Sequence, residues 1–233
     1  MVIASDGLPG GRVAIVTGGS RGVGREVLHR LASLGYAVVV NYAHDQRTAD
    51  STVEAVLAEN GTAMAVRADV DDELDVERLF TETVEAFGAI DAVVHAVRGR
   101  VNATPVTEMA LTDIDALLRT NIRATFIINR MAARQVRDGG AIVNLSSSVV
   151  TSLRSAYGAY ATTAAATDAL TRTLALELRD RDITVNGVSL EPDNRRPAGR
   201  VADIVAYLLS DAGHGITGEV IHLDDRPSAR YSR

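Results

Sequence analysis

Short apolar runs that alternate with longer amphipathic segments constrain this chain more than any single residue does. Runs such as Ala37-Val38-Val39-Val40 are apolar at every position, the pattern of a strand covered on both faces. The alternation predicts repeated β-α units and a parallel sheet. Strands are expected over residues 13–16, 37–41, 63–67, 92–95, 141–145, 183–188 and 219–223, with helices over 22–34, 47–59, 73–87, 111–137, 157–179 and 199–210. Right-handed crossovers then stack helices on both faces, giving an α/β, three-layer, doubly wound parallel sheet of about seven strands. With 233 residues and 46% hydrophobic content, one domain spanning residues 1–233 is expected, with 1–11 and 227–233 as mobile ends.

Charge and composition exclude several functions. The formal net charge is −6, and all 24 basic residues are arginines interleaved with 30 acids, so no uncompensated basic patch for nucleic acid is expected. The chain has no cysteine, hence no disulfide framework or thiolate chemistry, and no metal site is expected. The start, Met1-Val2-Ile3-Ala4-Ser5-Asp6, lacks a basic segment followed by a sustained apolar one, and no apolar run is long enough to span a bilayer. The expectation is a soluble, cytoplasmic protein with no membrane or nucleic-acid partner.

The first loop carries cofactor chemistry. Thr17-Gly18-Gly19-Ser20-Arg21-Gly22-Val23-Gly24 follows the first strand and opens a helix. Glycines there let a pyrophosphate approach the backbone, and the helix N-terminus supplies partial positive charge, which is the arrangement of a Rossmann-type fold.

The spelling Thr-Gly-x-x-x-Gly-x-Gly resembles the short-chain dehydrogenase/reductase family, and the resemblance extends over nearly the whole chain, which is similar to a ketoreductase of the 3-oxoacyl-carrier-protein type. Asp69-Val70 is similar to the family's adenine-contacting pair, and Asn121 sits where the family keeps a mid-helix Asn. Ile142-Val143-Asn144-Leu145-Ser146-Ser147 resembles the strand that presents the catalytic Ser, and Tyr160 follows Ser147 by the family's usual 13 residues. The resemblance implies catalytic roles for Ser147, Tyr160 and Asn121. For the cofactor it implies Thr17, Gly18, Ser20, Arg21, Gly22, Val23, Gly24, Asp69 and Val70. The second strand ends in Asn41-Tyr42, without the acid that would bind a ribose 2′-hydroxyl and repel a 2′-phosphate. With Arg21 and Arg47 available to a phosphate, NADP(H) is expected over NAD(H).

The departures are as informative. The family's catalytic Tyr-x-x-x-Lys reads Tyr160-Ala161-Thr162-Thr163-Ala164 here, in a chain that contains no lysine at all. His95-Ala96-Val97-Arg98 stands where the family has Asn-Asn-Ala-Gly, and Leu190-Glu191 replaces its Pro-Gly turn. Residues 192–200 leave little room for the family's substrate-covering lid, and Asp224-Asp225-Arg226 replaces its closing Asp-Gly-Gly. The family's amine holds the nicotinamide ribose and favours the tyrosinate. A free Tyr has a pKa of about 10, so without that cation only on the order of one phenol in a thousand would be ionised at neutral pH. Alcohol oxidation, which needs the phenolate, should suffer more than carbonyl reduction, which needs the phenol.

Arg98 admits three readings. It restores the missing charge beside the cofactor ribose, or fills the nicotinamide site, or points outward. His95 is expected to be a hydrogen-bonded strand-end histidine. Ser147 lacks the surroundings of a hydrolase nucleophile. The helices over 111–137 and 157–179 are apolar on more than one face, as in a homodimer or homotetramer. The functional expectation is an atypical NADPH-dependent reductase of a small-molecule ketone or enone. The alternative is a non-catalytic NADP(H)-binding sensor or partner subunit.

Overall fold

The computed structural model describes residues 11–99, 102–152, 154–191 and 198–223. Except for Gly11, the ends expected to be mobile lie outside the described residues, as do the Asp224-Asp225-Arg226 departure and most of the shortened lid segment. Seven strands form one sheet: β1 (Val13–Thr17), β2 (Ala37–Tyr42), β3 (Thr62–Arg67), β4 (Ala92–His95), β5 (Ala141–Ser147), β6 (Thr184–Leu190) and β7 (Val220–Leu223). All neighbours are parallel, in the order β3-β2-β1-β4-β5-β6-β7. This is the doubly wound, Rossmann-type arrangement that the strand pattern predicts.

The period-two geometry of the strands divides the interior into two cores. Ala14, Val16, Val38 and Val40 face α1 (Gly22–Ser33), α2 (Gln46–Ala58) and α8 (Ala198–Leu208), packing with Leu28, Leu31, Val53 and Val205. Ile15, Val39 and Ile142 face the other way, toward α3 (Glu73–Phe87), α5 (Ala124–Gln135) and α7 (Gly158–Glu177), packing with Leu79, Phe80, Ile128 and Leu174. Each large apolar side chain so buried contributes roughly 1.5–3 kcal/mol. The chain winds outward in one direction from β1 to β3 and in the other from β4 to β7. The crevice at the carboxyl ends of β1 and β4 is therefore where a doubly wound sheet takes its ligand.

Three local features differ from the sequence expectation. The helix expected over 111–137 is interrupted: α4 (Leu111–Leu117) passes through a π-helical turn, Leu118–Arg123, before α5 begins. Strands β5 and β6 run further toward the crevice than expected, to Ser147 and Leu190, because those two residues pair with each other across the sheet. A short helix, α6 (Val149–Ser152), follows β5. Among the described residues, no helix is long and apolar enough to cross a membrane.

Candidate active site

A groove of about 430 Å3 opens at the crevice, lined by Gly18, Ser20 and Arg21 of the first loop, by Asn41 to Asp45 at and beyond the end of β2, by Ala68 to Asp71 after β3, and by Val97 to Gly99 after β4. Its phosphate end is shaped by backbone. Gly18 and Gly22 hold φ of +64° and +57°, left-handed values that a side chain disfavours. A Cβ on Gly24 would lie 2.4 Å from the Gly18 carbonyl oxygen, so loop and helix touch backbone to backbone. Arg21, at the N-cap of α1, makes no side-chain cap, and the first turn holds no acid. The helix therefore presents uncapped N–H groups at the mouth of the groove, as an anion requires. These features fit a dinucleotide pyrophosphate.

The other end is built from side chains. Ser147, at the tip of β5, and Tyr160, on the first turn of α7, line one small cavity of about 20 Å3 together with Arg98, Asn121, Thr163 and Ala164. That volume holds about one water. The Ser147 hydroxyl is buried without a hydrogen-bond partner. Asn121 sits in the π-helical turn, where its Oδ1 accepts from the Gly99 N–H at 2.7 Å and its Nδ2 donates to the Thr163 hydroxyl at 3.0 Å. A π turn re-aims a side chain that a regular helix would direct elsewhere; here it lets one Asn tie the loop after β4 to α7. Arg98 turns inward, its Nη1 donating to the Ser146 carbonyl at 3.2 Å. The outward-pointing reading is therefore incorrect.

His95 is fully occupied. The Thr125 hydroxyl donates to the Asn121 carbonyl, so it accepts from His95 Nε2 at 3.1 Å. Nδ1 then accepts from the Thr17 hydroxyl at 2.8 Å, and that hydroxyl accepts from the Ala96 N–H at 3.1 Å. Burial pushes the imidazole down from 6.5 to about 4, so it stays neutral. It is the hydrogen-bonded strand-end histidine that the sequence predicts, without a hydrogen bond to Ser147.

The sequence pattern of the short chain dehydrogenase family matches residues 12–192. The chain belongs to this family. Among similar proteins, NADPH-dependent aldehyde reductase 2, chloroplastic, of Arabidopsis thaliana is 33% identical over 252 residues, covering 91% of this chain and 92% of that one. The 3-oxoacyl-(acyl-carrier-protein) reductase of Staphylococcus aureus strain Mu50 is 33% identical over 236 residues, covering 91% and 96%. The crystal structure of a short chain dehydrogenase from Burkholderia cenocepacia J2315 in complex with NADP superposes with a TM-score of 0.84 at 31% identity, covering 91% and 96%. Short-chain dehydrogenases are NAD(P)-dependent oxidoreductases, and the groove is placed accordingly.

Within this short-chain dehydrogenase, all the predicted site residues but Gly22, whose left-handed backbone shapes the loop, and Arg47 fall into three groups. Gly18, Ser20, Arg21, Asn41, Asp69, Val70 and Arg98 line the groove, and Arg98, Asn121, Ser147 and Tyr160 meet at the cavity. Thr17, Val23 and Gly24 serve the loop from behind: the Thr17 hydroxyl is committed to His95, Val23 packs on a core, and Gly24 is buried against Gly18. Arg47 does not line the groove, because it lies on the exposed first turn of α2. His44 and Asp45 take that place. Asp45 caps α2, and its bonds from Thr48, with Arg21 and Arg47 nearby, hold its carboxyl below the usual range. The sequence reading also missed Asp168, one turn beyond Ala164 on α7. Its Oδ1 is buried without a partner, and burial raises the carboxyl against the opposing pull of Ser146, His222 and Arg172. An Asp within an apolar helical pattern was the one available signal.

Proposed function

We propose that the chain is an NADPH-dependent reductase of a small-molecule ketone or enone. The observation that carries this reading is the Ser147 hydroxyl, buried and unpartnered on the wall that it shares with Tyr160. Leaving such a group unpaired costs roughly 1–3 kcal/mol, and a carbonyl oxygen seated between Ser147 and Tyr160 removes that cost. When bound, the reduced nicotinamide supplies the hydride that a carbonyl carbon accepts. The chain's own part is at oxygen: Ser147 donates a hydrogen bond to it, and Tyr160 gives up a phenolic proton that water replaces. Asn121 positions both walls through Gly99 and Thr163. With Ala at position 164, the direction that consumes the neutral phenol is favoured over alcohol oxidation. NADP(H) is preferred because Asn41 removes the repelling acid from the end of β2 and Arg21 lines the same groove. The names of the aldehyde reductase and of the NADP complex agree with this preference. The same reading includes a homodimer or homotetramer formed through α5 and α7, which leave Phe126 57% and Leu176 66% exposed.

One observation favours a second reading, an NADP(H)-binding sensor or partner subunit without turnover: the cavity of about 20 Å3 is small for a substrate. Calorimetry and single-turnover NADPH oxidation across a ketone panel separate the two. For the reductase, Ser147→Ala and Tyr160→Phe lower turnover by roughly 100-fold or more and leave NADPH affinity within a few-fold. Tight NADPH binding with no turnover by the wild-type protein selects the second reading, and indifference to both NADPH and NADH overturns the two together.

A further inference from the structure

Asp168 is one of the buried residues of α7, 4% exposed, and among the described residues no ion pair holds it. Its Oδ1 is buried without a hydrogen-bond partner. An apolar side chain would fill that place without the penalty that burial imposes on a carboxyl. The neighbours show what the carboxyl serves. Ser146, Ser189 and His222 stand side by side in the register of β5, β6 and β7, so their side chains leave the sheet on one face. That face lies beneath α7, because the Ser146 hydroxyl reaches the Ala164 carbonyl of that helix at 3.4 Å. Asp168, one turn further along α7, meets the same row. Burial raises its carboxyl, while Ser146 as a hydrogen-bond donor, then His222 and Arg172 as charges, pull it back. The Ser189 hydroxyl, between Ser146 and His222, is likewise buried without a partner.

A hydroxyl has one proton to give. At 3.4 Å the Ala164 carbonyl lies beyond the roughly 2.5–3.0 Å of a normal O–H···O bond, so an ionised Asp168 is the stronger acceptor for Ser146. When Asp168 holds a proton, its own O–H donates to Ser146, whose proton then turns to Ala164. Either way Ser146 is tied to α7. Ser146 directly precedes Ser147, and both line the small cavity with Tyr160, which α7 carries about two turns before Asp168. Resting on the reductase reading, we propose that Asp168 is a positioning residue: through the Ser146 hydroxyl its carboxyl holds the tip of β5 against α7, and so fixes the separation between Ser147 and Tyr160.

The test reads the tip of β5 both with and without turnover. The Ser148 amide bonds the Leu190 carbonyl at 2.9 Å just past the end of β5. In Asp168→Ala its hydrogen exchange is expected to quicken roughly tenfold or more, with Val143 deep in the same strand unchanged. Carbonyl reduction falls roughly ten- to a hundredfold in kcat, while NADPH affinity stays within a few-fold. Asp168→Asn, whose amide donates to Ser146 as the protonated acid does, restores both readings. Asp168→Leu, of similar size but without a donor or acceptor, does not. Ser146→Ala reproduces the loss, and combining it with Asp168→Ala adds little, as two halves of one contact should. If Asp168→Ala does not fold, Asp168→Leu and Ser146→Ala carry the test. Unchanged Ser148 exchange across the series overturns the proposal, as does rescue by Leu equal to that by Asn, which is the signature of simple packing. Full additivity of the two losses overturns it too. If exchange at the tip responds as stated but no protein in the series, wild type included, reduces any ketone, Asp168 still holds β5 on α7 and the reductase reading fails.

Discussion

The two ends of the crevice are built differently. The phosphate end is an open groove shaped by Gly18, Gly22 and Gly24, whose backbone geometry needs nothing from the rest of the molecule beyond a strand and a helix to frame it. The other end is small and depends on side chains from the loop after β4, the π-helical turn, β5 and α7 meeting around a cavity of about 20 Å3. The loop that shapes the phosphate end is one local segment, whereas the small cavity draws on four.

The largest expected effect probes the polar network behind the carbonyl end. His95 is held neutral with its pKa near 4 in the folded chain, against 6.5 when unfolded. As pH falls through that window the unfolded chain takes up the proton first, so stability is full above 6.5 and is lost as pH falls toward 4. The loss is on the order of 3 kcal/mol. Denaturant unfolding from pH 7 to pH 4 should show this slope in the wild-type protein and a flatter one in His95→Asn. Parallel slopes would show that His95 is not the group that titrates.

Next comes the phosphate end. Gly24→Ala puts a methyl group 2.4 Å from the Gly18 carbonyl oxygen, and the loop must shift away from the helix. Overpacking of this kind costs roughly 1–3 kcal/mol, so NADPH affinity is expected to fall roughly ten- to a hundredfold by calorimetry. Unchanged affinity would mean that the pyrophosphate lies elsewhere, and the contrast between the two ends would collapse.

The smallest effect concerns the wall contributed by Asp45. Asn is as good an N-cap as Asp, so Asp45→Asn keeps α2 capped and removes only the charge facing the groove. NADPH affinity should rise a few-fold with NADH affinity unchanged, the scale of a solvent-screened charge. A fall in NADH affinity would instead assign Asp45 to the ribose 2′-hydroxyl and reverse the cofactor preference.

The sequence by itself determined the layered fold, because strands apolar on both faces can be satisfied only between two helix layers. It determined the dinucleotide loop, since glycine spacing after a strand is a local property of the backbone. Through family spacing it also placed Ser147, Tyr160 and Ala164 together, and the three line one cavity. Tertiary structure alone decided what the long and polar side chains do. Arg98 was left with three readings because the direction of an arginine is set by its partner, here the Ser146 carbonyl, 48 residues away. Arg47 fell outside the groove because the start of α2 at Gln46 carries it onto an exposed turn. Thr17 turned to His95, and Asn121, in a π turn of a helix that periodicity draws as continuous, turned to Gly99, because each pairs with a group distant in the chain. Backbone pattern is encoded over a few neighbouring residues. The orientation of a buried polar side chain is fixed only when folding brings its partner into place.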